Sequence, residues 1–336
     1  MSAKSFVELA QFSAHEETKR ALQKALREIA TLKTSKEDLA KQVYKAAKDA
    51  ALASPPVKVP KPKPSKTVKR GEWALLHATD WQYAKVTTTY NRAVAERRVK
   101  ETTEHVLKLT DLNRNSRPIS NCAVLLGGDM VEGTTIFPSQ AWQVDASLFS
   151  QLFEVAGLIE GLIKTLLSDF DTVEVWEEYG NHGRIGRKGE QPALDNVDRM
   201  AYRIARERIS DKRLVWHPST SWYQVGRIGN YSFLLVHGDE VTSFGGNVPA
   251  FGITRKCNAW ASGVVEPFID VYMGHWHRPD VYSLANGGRV FVSPSLESDN
   301  EFAREFVAAQ GYPGQRLNFI DPERGRVTSE HMIWCS

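Results

Sequence analysis

The sequence predicts an α/β fold: a two-sheet sandwich flanked by helices, preceded by a helical N-terminal segment. Three observations predict it. Short apolar runs alternate with helix-patterned stretches from Trp73 to about residue 209, apolar runs crowd together after residue 212, and polar clusters stand at the ends of several runs. Strand–helix alternation builds a sheet covered by helices, with ligand sites at the strand C-termini. The denser run of strands that follows implies a second sheet packed on the first. At 336 residues the chain has room for one large domain or two ordinary ones, and a core of that size folds without disulfide or metal support.

The first segment, residues 1–53, reads as helix. Leu22, Ile29, Val43 and Ala50 share one heptad position, and Ala25, Leu32, Leu39 and Ala46 another, with Lys36 interrupting the first set. A seam of about four heptads suits a self-associating coil. Ser35 followed by Asp38 resembles a capping box, so two short helices packed on the main domain are the alternative. Residues 54–70, SPPVKVPKPKPSKTVKR, are a linker whose prolines favour an extended spacer. It holds Lys58, Lys61, Lys63, Lys66, Lys69 and Arg70 with no acid. Such a run is either solvated or a contact for a phosphate backbone.

The main domain spans residues 71–336. Its expected strands include WALLHATD, CAVLLGGD and TVEVWEEYGNH, each followed by a helix, across roughly 91–112, 143–168 and 194–209. RLVWHP, WYQVGRI, YSFLLVHGD, FIDVYMGHWH, VYSLA and RVFVSPS follow as further strands. SFGGNVPAFG, 243–252, reads as a flexible loop near the site.

Composition excludes several classes. A net charge of +3 does not by itself imply nucleic-acid binding. Three widely spaced cysteines, Cys122, Cys257 and Cys335, argue for a reducing compartment and against a disulfide framework or thiolate metal site. The first residues lack a signal-peptide core, and no window approaches a membrane span. The expectation is a cytoplasmic protein without membrane contact.

Five polar clusters each follow an apolar run: Asp80-Trp81-Gln82, Gly128-Asp129 with Glu132, Gly180-Asn181-His182, His237-Gly238-Asp239 and Gly274-His275-Trp276-His277. One such cluster is commonly just a turn. Five in order supply carboxylate, amide and imidazole together, a donor set suited to Mn²⁺, Fe²⁺, Zn²⁺ or Mg²⁺.

These residues and their order resemble the calcineurin-like metallophosphoesterases, whose pattern is D-x-H, G-D-x-x, G-N-H-[DE], H and G-H-x-H. The likeness covers about residues 73–300, and LLHATDWQYAK is most similar to the first motif of SbcD-type DNA-repair nucleases and their phage-encoded relatives. The resemblance implies two divalent ions, Mn²⁺ first among them. Asp80, Gln82 and His277 would hold one, Asn181, His237 and His275 the other, and Asp129 would bridge. His182 would act as general acid in hydrolysing a phosphodiester, with DNA as the expected substrate and a phosphomonoester as the alternative. A binding module with a disabled site is a third reading. In phage, the location would be the host cytoplasm.

Two positions depart from the family pattern. Gln82 stands where His is usual, a weaker neutral oxygen donor for transition metals. Gly183 stands where an acid usually follows His182, and Glu132 is the candidate replacement as its partner. His77, three residues before Asp80, reads as a core histidine. Arg184, Arg187 and Arg278, with Lys188, are candidates for gripping phosphate. Trp81 and Trp276 could stack on bases or simply pack.

Overall fold

The computed structural model describes residues 71–336 apart from 138, 139, 187, 243–248 and 299–310, plus a few helical positions between 42 and 49. The N-terminal seam apart from Ala46, the basic linker and Arg187 therefore lie outside the described residues.

Strands β1 (Glu72–Ala78), β2 (Ile119–Leu126), β3 (Thr172–Glu177) and β4 (Leu214–His217) run parallel and adjacent. Helices α1 (Arg92–Arg114), α2 (Leu148–Leu167) and α3 (Val197–Arg208) alternate with them. The second sheet has the order β5-β6-β7-β9-β8, from β5 (Tyr223–Ile228), β6 (Tyr231–Val236), β7 (Asp270–Met273), β8 (Val281–Ser283) and β9 (Arg289–Val292). The second sheet is mixed, since β5 and β8 pair antiparallel at its edges.

Side-chain alternation along each strand sorts the core into layers. On β1, Ala74, Leu76 and Ala78 pack toward the helices, while Leu75 faces the other sheet. On β6, Phe233 and Leu235 meet that inner layer, and Leu234 and Val236 pack outward. Helix α4 (Pro249–Ala259) covers the outer face through Ile253 and Cys257. Each alternating helix starts on a side-chain cap: Asn91 accepts from Val94 N, Ser147 from Ser150 N and Asn196 from Asp198 N.

The structure departs from the sequence expectations in three places. The second helix begins at Leu148 rather than 143, because Ser147 caps it. Within the expected loop 243–252, Pro249–Gly252 form the first turn of α4, with Pro at the helix start, where its missing N–H costs nothing. Most important, β10 (Gly314–Asp321) and β11 (Arg326–Trp334) were not anticipated. They form a hairpin that adds antiparallel to the free edge of β1 and completes the order β11-β10-β1-β2-β3-β4.

Candidate metal centre

Every cluster of the sequence motif lies just past a strand end. Asp80 and Gln82 follow β1, Asp129 follows β2, Asn181 and His182 follow β3, His237 follows β6, and His275 and His277 follow β7. The backbone there is unusual. Asp80, Gln82, Ala84, Asp129, His275 and His277 all have positive φ, between 41° and 81°, and are the non-glycine residues of the described chain that do. A left-handed conformation costs an L-residue about 1–2 kcal/mol. Five of these six residues belong to the proposed ligand set, so the strain is concentrated where the chain turns donors inward. Glycine permits the close approaches. A Cβ on Gly180 would collide with the Asp129 carboxylate, and one on Gly274 with that of Asp80.

One half of the site centres on Asp129. Ligand atoms of Asp129, His237 and His275 lie within 4.8 Å of one another. His237 Nε2 is 3.0 Å from Asp129 Oδ2 and 3.2 Å from Asn181 Oδ1, and its Nδ1 meets the Gly127 carbonyl at 2.9 Å. That carbonyl fixes Nδ1 as the donor and turns Nε2 toward the carboxylate. Burial opposes charge on His237, but Asp129 outweighs it and raises its pKa well above the usual range. Asp129 itself is held well below the carboxylate range: burial works the other way, and His237 and His182 prevail. Burial, aided by the charge on His237, lowers His275 to about 4. Buried oxygen and imidazole donors converging in this way fit a divalent ion of the borderline class.

The other half centres on His277. Its Nε2 is 3.3 Å from Asp80 Oδ1 and 3.4 Å from Gln82 Nε2, and its Nδ1 is 3.0 Å from Glu297 Oε1. Lys85 is also buried here, paired with Glu297 and donating to Gln82 Oε1 at 3.2 Å. Burial disfavours charge on His277, yet its hydrogen bonds to Asp80 and Glu297 lift it to about 10.

His182 sits beside the first half. Its backbone N–H donates to Asp129 Oδ1 at 2.7 Å. Nδ1 is 2.9 Å from the Glu132 carbonyl and 3.2 Å from Glu132 Oε2, while Nε2 is 3.9 Å from Asp129 Oδ2. Glu132 is fully buried, and Gln140 Nε2 donates to its carbonyl and carboxylate at 2.7 and 3.1 Å. Burial opposes a charged His182, but the Asp129 and Glu132 carboxylates prevail and raise it to about 9.

The other sequence candidates divide. Arg184 pairs with Asp239 at 2.5 Å and Arg278 with Asp280 at 3.1 Å. Trp81 is buried in the helix-side core, so its role is packing, and Trp276 packs against the core under α4. His77 is fully buried, edge-on to Tyr272, with Nδ1 at 2.8 Å from Ser293 Oγ; burial lowers it to about 3. It is a core histidine.

Sequence reasoning missed Asp198, Glu297, Lys85 and Gln140. Asp198 is buried at the start of α3 and accepts from the backbone N–H groups of Asp129, Met130, Val131 and Gly180 at 2.9–3.2 Å. It ties two motif loops together, yet in sequence it looks like an ordinary first-turn acid. Glu297 had a usable signal: SPSLE closes the apolar run VFV just as the five clusters close theirs. Its loop is fixed by Ser295 Oγ and Leu296 N, both donating to the Asp80 carbonyl. Lys85 and Gln140 carried no distinguishing signal.

No family model matches the chain, and no curated protein matches it. Several solved structures align with it over most of its length, at low similarity. A zinc complex of Vps29 from Entamoeba histolytica is 11% identical, with TM-score 0.31, covering 77% of this chain and 99% of that one. A predicted phosphoesterase from Streptococcus pneumoniae is 12% identical, with TM-score 0.31, covering 78% and 98%. The purple acid phosphatase PPD1 from yellow lupin is 13% identical, with TM-score 0.34, covering 82% of this chain and 55% of that one. Likenesses this slight assign nothing to this chain, and the reading of its site rests on its own residues.

Proposed function

We propose that this chain is a metal-dependent phosphoester hydrolase. The observation that carries the reading is the convergence of the buried Asp129 and His237 and the half-buried His275 within 4.8 Å, beside a His182 held by Glu132. Asp129, Asn181, His237 and His275 would hold the ion, which when bound supplies Lewis-acid polarisation of the phosphoryl group and a nucleophilic water. Asp129 orders the His182 backbone. The Glu132 carbonyl accepts from Nδ1, leaving Nε2 to carry the proton that passes to the leaving oxygen. Lys85 places positive charge beside the acids of the site.

For the substrate, a phosphodiester of a nucleic acid is our reading. Trp142 is 90% exposed two residues beyond Gln140, where an unstacked base could lie on it. The acid-free run from Lys58 to Arg70 offers cations for a phosphate backbone. A chain starting at Gly71 would then bind single-stranded DNA with a salt dependence shallower by about 0.7 per lost contact; an unchanged slope removes the linker from the proposal. The pairing of Arg184 and Arg278 with Asp239 and Asp280 favours a second reading, a small phosphomonoester needing no extended grip. Hydrolysis of bis-nitrophenyl phosphate, nitrophenyl phosphate and single-stranded DNA, each with Mn²⁺, separates the two. EDTA should abolish the activity, and hydrolysis that survives chelation would refute metal dependence.

A further inference from the structure

The two halves of the centre do not offer a metal the same thing. Around Asp129, the imidazoles and carboxylate point at one another. Around His277, two charged side chains outside the candidate ligand set, Lys85 and Glu297, engage Gln82 and His277. Gln82 can offer a metal one donor atom, its amide oxygen, and that oxygen accepts from Lys85 Nζ at 3.2 Å. An ammonium has donors and no acceptor, so Lys85 also fixes which way the amide faces. Its Nε2 is thereby turned toward His277. Both nitrogens of His277 are occupied, one at Asp80 and one at Glu297. The Asp80 carboxylate accepts from His275 N at 3.1 and 3.0 Å and from Thr79 Oγ1 at 2.8 Å.

Lys85 stands in the middle of this arrangement. It is buried, pairs with Glu297, and feels the charges of Glu132 and Asp129. The segment that carries it turns through three left-handed residues, Asp80, Gln82 and Ala84, and its own N–H donates to the Gln82 carbonyl. Gln82 and Lys85 are thus brought to one point from a single tight loop. A fixed ammonium there neutralises carboxylate charge and repels a divalent ion entering the same space.

From this geometry we infer that Lys85 takes the place of one of the two cations, so that the site binds a single divalent ion on the Asp129, Asn181, His237 and His275 side. This rests on the proposed metal-dependent function and departs from the two-ion expectation of the sequence. The unusual Gln82 then has a reason. Where the resembled pattern has a histidine nitrogen that gives its lone pair to a metal, this chain has an amide oxygen that accepts from an ammonium.

The test counts ions on the full chain without reference to turnover. Equilibrium dialysis with Mn²⁺ should give one ion per chain. His237→Ala should weaken that binding by more than about 100-fold, since even indirect partners of a metal are worth 10–100-fold. His277→Ala should leave it within about threefold of the original protein, far below the loss of a ligand. The double variant Lys85→Met/Gln82→His should raise the count to two. Two ions in the original protein would overturn the inference while leaving metal-dependent hydrolysis intact. So would loss of the ion in His277→Ala, or a count of one in a folded double variant. No bound ion at all would sink the proposed function and the inference with it. If the double variant does not fold, the original protein and the two histidine variants still decide the matter.

Discussion

The half of the centre around Asp129 and the half around His277 are built from similar residues, yet they solve the problem of buried charge differently. Near Asp129, the carboxylate is balanced by His237 and His182, whose Nδ1 atoms rest on the backbone carbonyls of Gly127 and Glu132. Near His277, Glu297 and Asp80 are balanced by a lysine and a doubly bonded histidine. Buried acids must be neutralised by whatever lies within reach. A half balanced by a lysine has less use for a metal than one balanced by imidazoles, which can bind a metal once they release their protons. Similar ligand letters in a motif therefore do not guarantee similar ligand behaviour.

The largest effect should come from Asp129. Asp129→Asn removes the charge that organises His237 and His182, and turnover should fall by more than the 10²–10³ that one preorganised group supplies. Asp80→Asn should cost clearly less, since Asp80 belongs to the self-satisfied half. Steady-state rates on a nitrophenyl ester compare the two variants directly. Equal losses would break the distinction between the halves.

His182 comes next. His182→Ala should lower turnover by about 10²–10⁴ on an alkyl phosphoester, whose leaving oxygen needs a proton. The loss on a nitrophenyl ester should be much smaller. Identical losses on both would make His182 a phosphate anchor rather than an acid.

Much of this contrast was legible before the structure. The strands through β9, the three helices that alternate with the first of them, the positions of the seven proposed donors, the core role of His77 and the candidacy of Glu132 could be read from apolar periodicity and the clusters at strand ends. Helix α4 was not anticipated. The hairpin β10–β11 escaped because its residues follow no long apolar run, although D-P-E-R-G is a turn signal. It matters for the site: Gln315 of β10 accepts from Thr79 N at 2.8 Å and donates to the Thr79 carbonyl at 3.1 Å, pinning the loop that carries Asp80. Lys85 escaped for a different reason. Sequence displays which residues can bind a metal, but not which of them another side chain has already engaged.

Asp198 tests how far the Asp129 half depends on its support. Its carboxylate satisfies four backbone N–H groups, whereas an Asn oxygen has fewer acceptor positions and its amide would face donors. Asp198→Asn should therefore destabilise the chain by about 1–3 kcal/mol, the cost of a buried unsatisfied group. Thermal unfolding measures this, and an unchanged midpoint would show that the two loops hold without it.

The last comparison extends to buried acids beyond the centre. Glu297, with Lys85 and His277 against it, is held well below the carboxylate range even though burial pushes the other way. Glu178, as deeply buried, takes its hydrogen bonds from Tyr179 N and Ser219 Oγ, and burial pushes it up to about 8. An unfolded glutamate titrates near ~4.3. Between that value and about 8 the folded chain holds a proton that the unfolded chain has released, so stability falls as pH rises through this window. Glu178→Gln keeps the shape and removes the titration. The variant should match the original protein near pH 4 and exceed it at pH 8, by an amount on the order of a few kcal/mol. Unfolding midpoints at the two pH values give the comparison. A variant less stable than the original at pH 8 would mean that Glu178 is ionised and paired in the fold, as Glu297 is, and the contrast between them would fall.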